Sequence, residues 1–189
     1  LDQYQKNLDS KVRAMLRNLG MKNGMIFIQT FVEDGYCIFY EMGFRLTGSL
    51  EYKIFNRVNK INPMEMMIRF SLTGKMSKGN IENKINPAFG TPACNITFLV
   101  KPGQIGEIQG VEEVLHIPEV IDVFPSYKVG DVISERAKGT LEQVILRVFA
   151  IADNFERLSA VMDQVHDKIR VLTATGENML LQHFDTKEL

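Results

Sequence analysis

Residues Gln29 to Gly48 read QTFVEDGYCIFYEMGFRLTG, and this stretch constrains the chain most. Two apolar runs flank Glu33-Asp34-Gly35, a combination that reads as two antiparallel strands joined by a tight connection. Gln29 stands in the first run, Glu41 at the end of the second, and Arg45 four residues later. Register decides what the side chains can do. A two-residue turn at Asp34-Gly35 would pair Gln29 with Tyr40 and send Glu41 to the opposite face, because a one-residue slip flips every side chain. A three-residue loop, Glu33-Asp34-Gly35, with Gly35 left-handed in a bulge, pairs Val32 with Tyr36 and Gln29 with Phe39. Glu41 then becomes the diagonal neighbour of Gln29 on one face, roughly 7–8 Å away. We therefore expect a hairpin bulged at its loop.

Such a face has a definite chemistry. Hard divalent cations take carboxylate and amide oxygens, and magnesium commonly keeps one or two protein carboxylates beside phosphates. A guanidinium fork suits phosphate or carboxylate oxygens. Gln29 and Glu41 are thus candidate metal ligands, and Arg45 a candidate phosphate or substrate contact.

On these residues the chain resembles the C-terminal half of an ATP-grasp domain, as in biotin carboxylase and the carbamoyl-phosphate synthase large subunit. In that family a Glu or Gln on one strand and a Glu on the next bind the magnesium ions of ATP, and the second Glu opens a Glu-x-Asn-x-Arg motif. Gln29 matches the first ligand and Glu41 the second, twelve residues on, while Arg45 matches the arginine. Phe31 falls where the family often has an apolar residue against the adenine. Gly43 departs from the pattern, standing where the family usually has a further ligand, Asn. The helix over Lys11–Leu19 with Asn23-Gly24, and Gly48–Tyr52 with Asn62-Pro63-Met64-Glu65, are similar to the family's flanking segments. The resemblance covers most of residues 10–75. Residues 93–180 look more loosely like the C-terminal extension of such ligases, amino-acid ligases in particular.

The resemblance implies an α+β fold: the C-terminal half of an ATP-grasp domain over residues 1–75, an antiparallel sheet with packed helices. A linker or mobile loop follows over 76–92, then a small α+β extension over 93–189. It implies a carboxylate–amine ligase that activates a small carboxylate as an acyl phosphate with MgATP, after which an amine or ammonia attacks. Gln29 and Glu41 would hold the metal, Phe31 and Arg45 would contact the nucleotide, and Arg45 would also act in catalysis. A chain beginning at Leu1 with no upstream Gly-rich loop reads as one piece of a longer ligase, inactive alone. Apolar surface left uncovered by a missing N-terminal part would favour a homodimer. The rival reading is a non-catalytic binding or scaffolding module derived from the same fold.

Composition narrows the classes. The 189 residues are 45% hydrophobic and 24% charged, with net charge −1, so no charge excess argues for nucleic acid or an anionic membrane. No apolar run reaches the roughly 18 residues of a membrane span, and no signal peptide is read, which points to the cytoplasm. Cys37 and Cys94 sit in apolar runs and read as buried free thiols.

Periodicity supplies the elements. Val12, Met15, Leu16 and Leu19 mark a helix starting near Asp9 or Ser10 and ending at Gly20. The two hairpin strands are apolar on both faces and are expected to be buried. Pro63 opens a helix with Met64, Met67, Ile68 and Leu72 on its core side and Gly74 at its end. Residues 75–92, KMSKGNIENKINPAFGTP, read as linker or mobile loop. Strands follow over Ala93–Val100, Val120–Phe124 and Gln143–Ala152, with a short helix over Val111–His116. Asn154 caps a helix whose apolar face is Leu158, Val161, Met162, Val165 and Ile169, and Val171-Leu172 begins a last strand. The tail after Leu181 is expected to fray. GQIGEIQG, residues 103–110, lacks dinucleotide spacing and reads as a turn-rich edge. Glu33 and Asp34 read as turn residues and Glu51 as solvated. His116, His166 and His183 have no ligand spacing.

Overall fold

The hairpin forms because Asp34-Gly35 is a strong two-residue turn signal between apolar runs. In the computed structural model, which describes residues 2–181 and 185–186, β1 (Phe27–Glu33) pairs antiparallel with β2 (Tyr36–Gly43). Asp34 and Gly35 both have positive φ, 47° and 79°, as a two-residue I′ loop requires. Glu33 therefore pairs with Tyr36 and Val32 with Cys37, so the three-residue loop expected from the sequence is not formed. The irregularity lies inside the ladder instead, between Gln29 and Thr30.

The chain separates into two compact units, Leu1–Gly90 and Thr91–Leu189. In the first, α1 (Asp2–Asn7) packs against β2, and the Asn7 side-chain amide donates to the Gly35 carbonyl at 3.0 Å. The hairpin has only one half-covered face, carrying Ile28, Thr30, Cys37, Phe39 and Met42. Phe31, Ile38 and Tyr40 stand exposed on the other, which corrects the expectation that both faces are buried. A two-stranded ribbon with no second layer on one side cannot bury both faces.

The helix α2 (Asp9–Asn18) buries Val12, and α3 (Tyr52–Asn59) buries Ile54. In α4 (Pro63–Thr73), Asn62 caps through its Oδ1, which accepts the Met64 and Glu65 N–H groups, and Gly74 ends the helix at φ 69°. Its inward side differs from the expected one. Pro63 is buried and Met66, Phe70 and the expected Met67 are half-buried, whereas Met64, Ile68 and Leu72 are exposed. Phe70 turns edge-on to Phe44, with centroids 5.7 Å apart, and this contact helps set the helix rotation.

Residues 75–90 form a strap within this unit. It contains a 3-10 turn over Glu82–Lys84 and buries Met76. The Asn86 N–H donates to Asn59 Oδ1 at 2.6 Å, tying the strap to the end of α3. Phe89 adds an edge contact to Phe55 at 6.0 Å.

The second unit is built on β3 (Ala93–Leu99), β6 (Val120–Pro125) and β8 (Val144–Ile151), in the order β3-β8-β6 and antiparallel throughout. The central strand β8, VILRVFAI, is buried along most of its length, as its apolar run, interrupted only by Arg147, leads one to expect. The helix α6 (Phe155–Lys168) starts where Asn154 Oδ1 accepts the Arg157 N–H at 2.8 Å. Leu158, Val161, Met162, Val165 and Ile169 are all buried in the main core, as the spacing predicts. The short helix α5 (Val111–Leu115) lies between β5 (Glu107–Gln109) and β6 in sequence. Two small pairings complete the unit: β4 (Gly103–Gln104) with β7 (Val132–Ile133), and β5 with β9 (Arg170–Leu172). Two glycines of GQIGEIQG, Gly106 and Gly110, serve close backbone approach. A Cβ at Gly110 would sit 2.1 Å from the Lys168 carbonyl oxygen. No described helix is long and apolar enough to cross a membrane. His183 and most of the tail after Leu181 lie outside the described residues.

Both cysteines are free and half-buried. Burial pushes the Cys94 thiol up to about 11, partly opposed by its hydrogen bond with the backbone of Ala150. The thiolate is the reactive form, so at pH 8 only about one molecule in a thousand exposes it at this site. Alkylation of Cys94 in the folded protein should accelerate about tenfold per pH unit and still be rising at pH 10. A rate plateau below pH 9, read by mass spectrometry of the Cys94 peptide, would contradict that environment.

Candidate functional site

The irregularity in the hairpin is a bulge on β2. Thr30 pairs with Phe39 and Gln29 pairs with Glu41, which leaves Tyr40 as the extra residue opposite Gln29. The bulge undoes the consequence of the two-residue turn. Without it Glu41 would point to the half-covered face; with it, Glu41 stands directly opposite Gln29. Side chains of directly opposed residues share a face, with Cβ atoms about 4.5–5.5 Å apart. The two residues are thus closer partners than the diagonal neighbours expected from the sequence. Both are exposed.

Tyr40 also has a chemical part. Its hydroxyl donates to Gln29 Oε1 at 2.8 Å, and its ring stacks on Phe31 with centroids 4.5 Å apart. The hydrogen bond orients the amide oxygen while leaving it a second lone pair. Phe31 is therefore on the Gln29–Glu41 face, 61% exposed, as one half of an aromatic platform. Nothing in the sequence marked Tyr40, because its importance comes from being the residue the ladder skips.

Phe27 belongs to the same face, two residues before Gln29 on β1 and opposite Gly43. A Cβ at position 43 would lie 2.2 Å from the Phe27 ring. The ring occupies the room that a side chain at 43 would need. The Arg45 guanidinium lies over that ring, 4.7 Å from its centroid, within cation–π range. Its Nη1 donates to the Leu46 carbonyl at 3.0 Å. The structure thus brings Gln29, Glu41, Phe31 and Tyr40 together directly, and ties Arg45 to them through Phe27.

The donor set suits one hard cation better than two. Gln29 and Glu41 offer an amide and a carboxylate oxygen side by side, and among the described residues Glu41 makes no ion pair. Two protein oxygens plus phosphate oxygens and water suit magnesium. A third ligand at Gly43 is excluded by Phe27. Among the described residues no cluster of three or more His, Cys, Asp or Glu side chains could hold a metal alone.

Beside Arg45 lies a cavity of about 610 Å³ within the first unit, which the sequence did not announce. Glu51, expected to be merely solvated, lines it and accepts a hydrogen bond from the Thr47 hydroxyl. His116 is exposed, with Nδ1 2.6 Å from the Glu112 carbonyl oxygen, and His166 lies beside Phe98 with ring centroids 5.2 Å apart.

Solved structures carry the same fold. The chain superposes on an L-amino acid ligase from Bacillus licheniformis with a TM-score of 0.71 at 21% identity, over 92% of this chain and 43% of that one. It superposes on phosphoribosylglycinamide synthetase from Anaerococcus prevotii with a TM-score of 0.69 at 12% identity, again over 92% and 43%. The chain shares its α+β fold, antiparallel sheets with packed helices, with part of each of these structures. It spans less than half the length of either neighbour. No family model matches the chain, and no curated protein matches it by sequence.

The Phe27–Gly43 contact has a measurable consequence. Gly43→Ala forces a methyl group into the ring, and overpacking of this kind costs about 1–3 kcal/mol. Pairing it with Phe27→Ala should recover most of that loss, whereas independent sites would add. Chemical denaturation of the two single variants and the double decides between these outcomes.

Proposed function

We propose that the chain supplies the metal and phosphate wall of the MgATP site in an ATP-dependent carboxylate–amine ligase. The observation that carries the reading is the direct opposition of Gln29 and Glu41, restored by the bulge at Tyr40. The shared fold with two ligases supports it. The division at Gly90 suits a reading of the first unit as the C-terminal part of an ATP-grasp domain and the second as its extension. Kinship to the carbamoyl-phosphate synthase branch rests on the motif Glu41 to Arg45 and on the segments Gly48–Tyr52 and Asn62–Glu65 that follow it.

In this reading Gln29 and Glu41 hold one magnesium ion by their oxygens. When bound there, the ion would supply charge neutralisation for the phosphates. Tyr40 fixes the Gln29 oxygen toward it. Phe31 and Tyr40 present π-faces suited to a purine ring. Arg45 stabilises the charge on the transferred phosphoryl group or on the acyl phosphate that forms, an electrostatic and positioning role. An amine or ammonia then displaces phosphate, and the proton leaves with a base that none of these residues provides. One ion rather than two follows from Gly43.

The test is calorimetric titration of ATP, with and without magnesium, into the full protein that carries this chain. Magnesium-dependent binding should weaken at least tenfold in Glu41→Ala and in Arg45→Ala, with the folded state checked by circular dichroism. The non-catalytic module is favoured by Gly43, and it predicts no magnesium dependence and no effect of either substitution. That result would retire the ligase reading.

A further inference from the structure

The cavity beside Arg45 carries information about the substrate. Its walls come from Phe27 of β1, Phe55 of α3, Met66 of α4, and Met76, Ile81 and Phe89 of the strap. Lys22 and Arg45 are its cations and Glu51 its carboxylate, already engaged by Thr47. The lining is thus mainly apolar with a net positive charge. Pockets of this size, apolar with a few placed polar groups, are the usual form of a small-molecule site.

Arg45 stands where the two sites join. It lies over Phe27, which belongs to the Gln29–Glu41 face and also lines the cavity. Among the described residues its donors serve only the Leu46 carbonyl, so most of its five N–H groups are uncommitted. The strap that forms the far wall is held by the Asn59–Asn86 hydrogen bond and by the Phe55–Phe89 contact, so the apolar wall is built in rather than draped.

We infer that this cavity receives the side chain of the substrate carboxylate, and that the substrate class is a monocarboxylate with an apolar side chain. The inference rests on the ligase reading, because it assigns the cavity to the acid that is activated. The carboxylate meets Arg45 at the mouth, next to the phosphate wall, and the aliphatic tail runs between Phe55, Met66 and Phe89. A second carboxylate held between Phe55, Met66 and Phe89, side chains that carry no charge to pair with it, would be stripped of water, a placement that is strongly disfavoured.

The experiment titrates acetate, butanoate, pentanoate and glutarate into the full protein, read by the methyl NMR signals of Met66 and Met76. Affinity should rise about fourfold for each buried methylene, and pentanoate should bind at least tenfold more tightly than glutarate. Arg45→Met should weaken every acid while keeping the chain-length trend. Phe89→Ala, which enlarges the cavity at its far wall, should move the optimum to a longer chain. Affinities that are flat from acetate to pentanoate, or glutarate binding as well as pentanoate, would overturn the inference, and the wild-type series decides this even where a variant fails to fold. Titration of MgATP into the same samples separates the two readings. Flat carboxylate affinities with Glu41-dependent MgATP binding sink the substrate class alone, whereas loss of both sinks the ligase reading as well.

Discussion

One extra residue in a β-strand puts Gln29 and Glu41 on the same face of the hairpin. The Asp34-Gly35 turn commits the hairpin to a register that would separate Gln29 from Glu41, and Tyr40 cancels that commitment by standing outside the ladder. The cost is one disrupted rung. The return is an amide and a carboxylate on one face, with the bulged residue itself orienting the amide through its hydroxyl. Phe31, Phe27 and Arg45 are arranged along the same face, because period-two alternation carries Phe27, Gln29 and Phe31 to one side.

Gln29, Phe31, Tyr40 and Glu41 are exposed because no described residue of the first unit covers them, and that exposure is compatible with ligand chemistry. A carboxylate on a buried face would meet a large desolvation penalty and become neutral. Phe31 and Tyr40 are exposed aromatics that cover each other, which reduces the apolar area each presents to water. Gly43 and Phe27 act as a pair in the opposite sense. The glycine lets the ring lie flat, the ring supports Arg45, and the room for a third oxygen ligand is gone.

Legibility in the sequence tracked how local the deciding physics was. The cap at Asn154, the proline that opens α4 and the glycine that ends it, and the buried face of α6 all depend on neighbours within a few residues, and all were readable, whereas the cap at Asn62 was not read. Gln29, Phe31, Glu41 and Arg45 were singled out through spacing and through resemblance, whereas Tyr40 and Phe27 were not. The bulge was anticipated, but at the loop rather than at Tyr40, since I′ turn chemistry and register compete and only the folded ladder shows where the mismatch is absorbed. The outward face of α4 was misread because Met64, Ile68 and Leu72 match helical period as well as the true inward residues do; Phe70 against Phe44 belongs to the packing, not the period. The strap over residues 75–90 looked like a linker because its order depends on Asn59, Met76 and Phe89 finding distant partners within the unit.

The central claim is that Gln29 and Glu41 serve one ion. A double-mutant cycle of Gln29→Ala and Glu41→Ala, read as magnesium-dependent ATP affinity in the full protein, tests it most directly. If the two oxygens share an ion, removing the second after the first should cost at least about 0.5 kcal/mol less than removing it alone. Losses that simply add would mean that the two residues act separately, and the shared metal site would have to be abandoned.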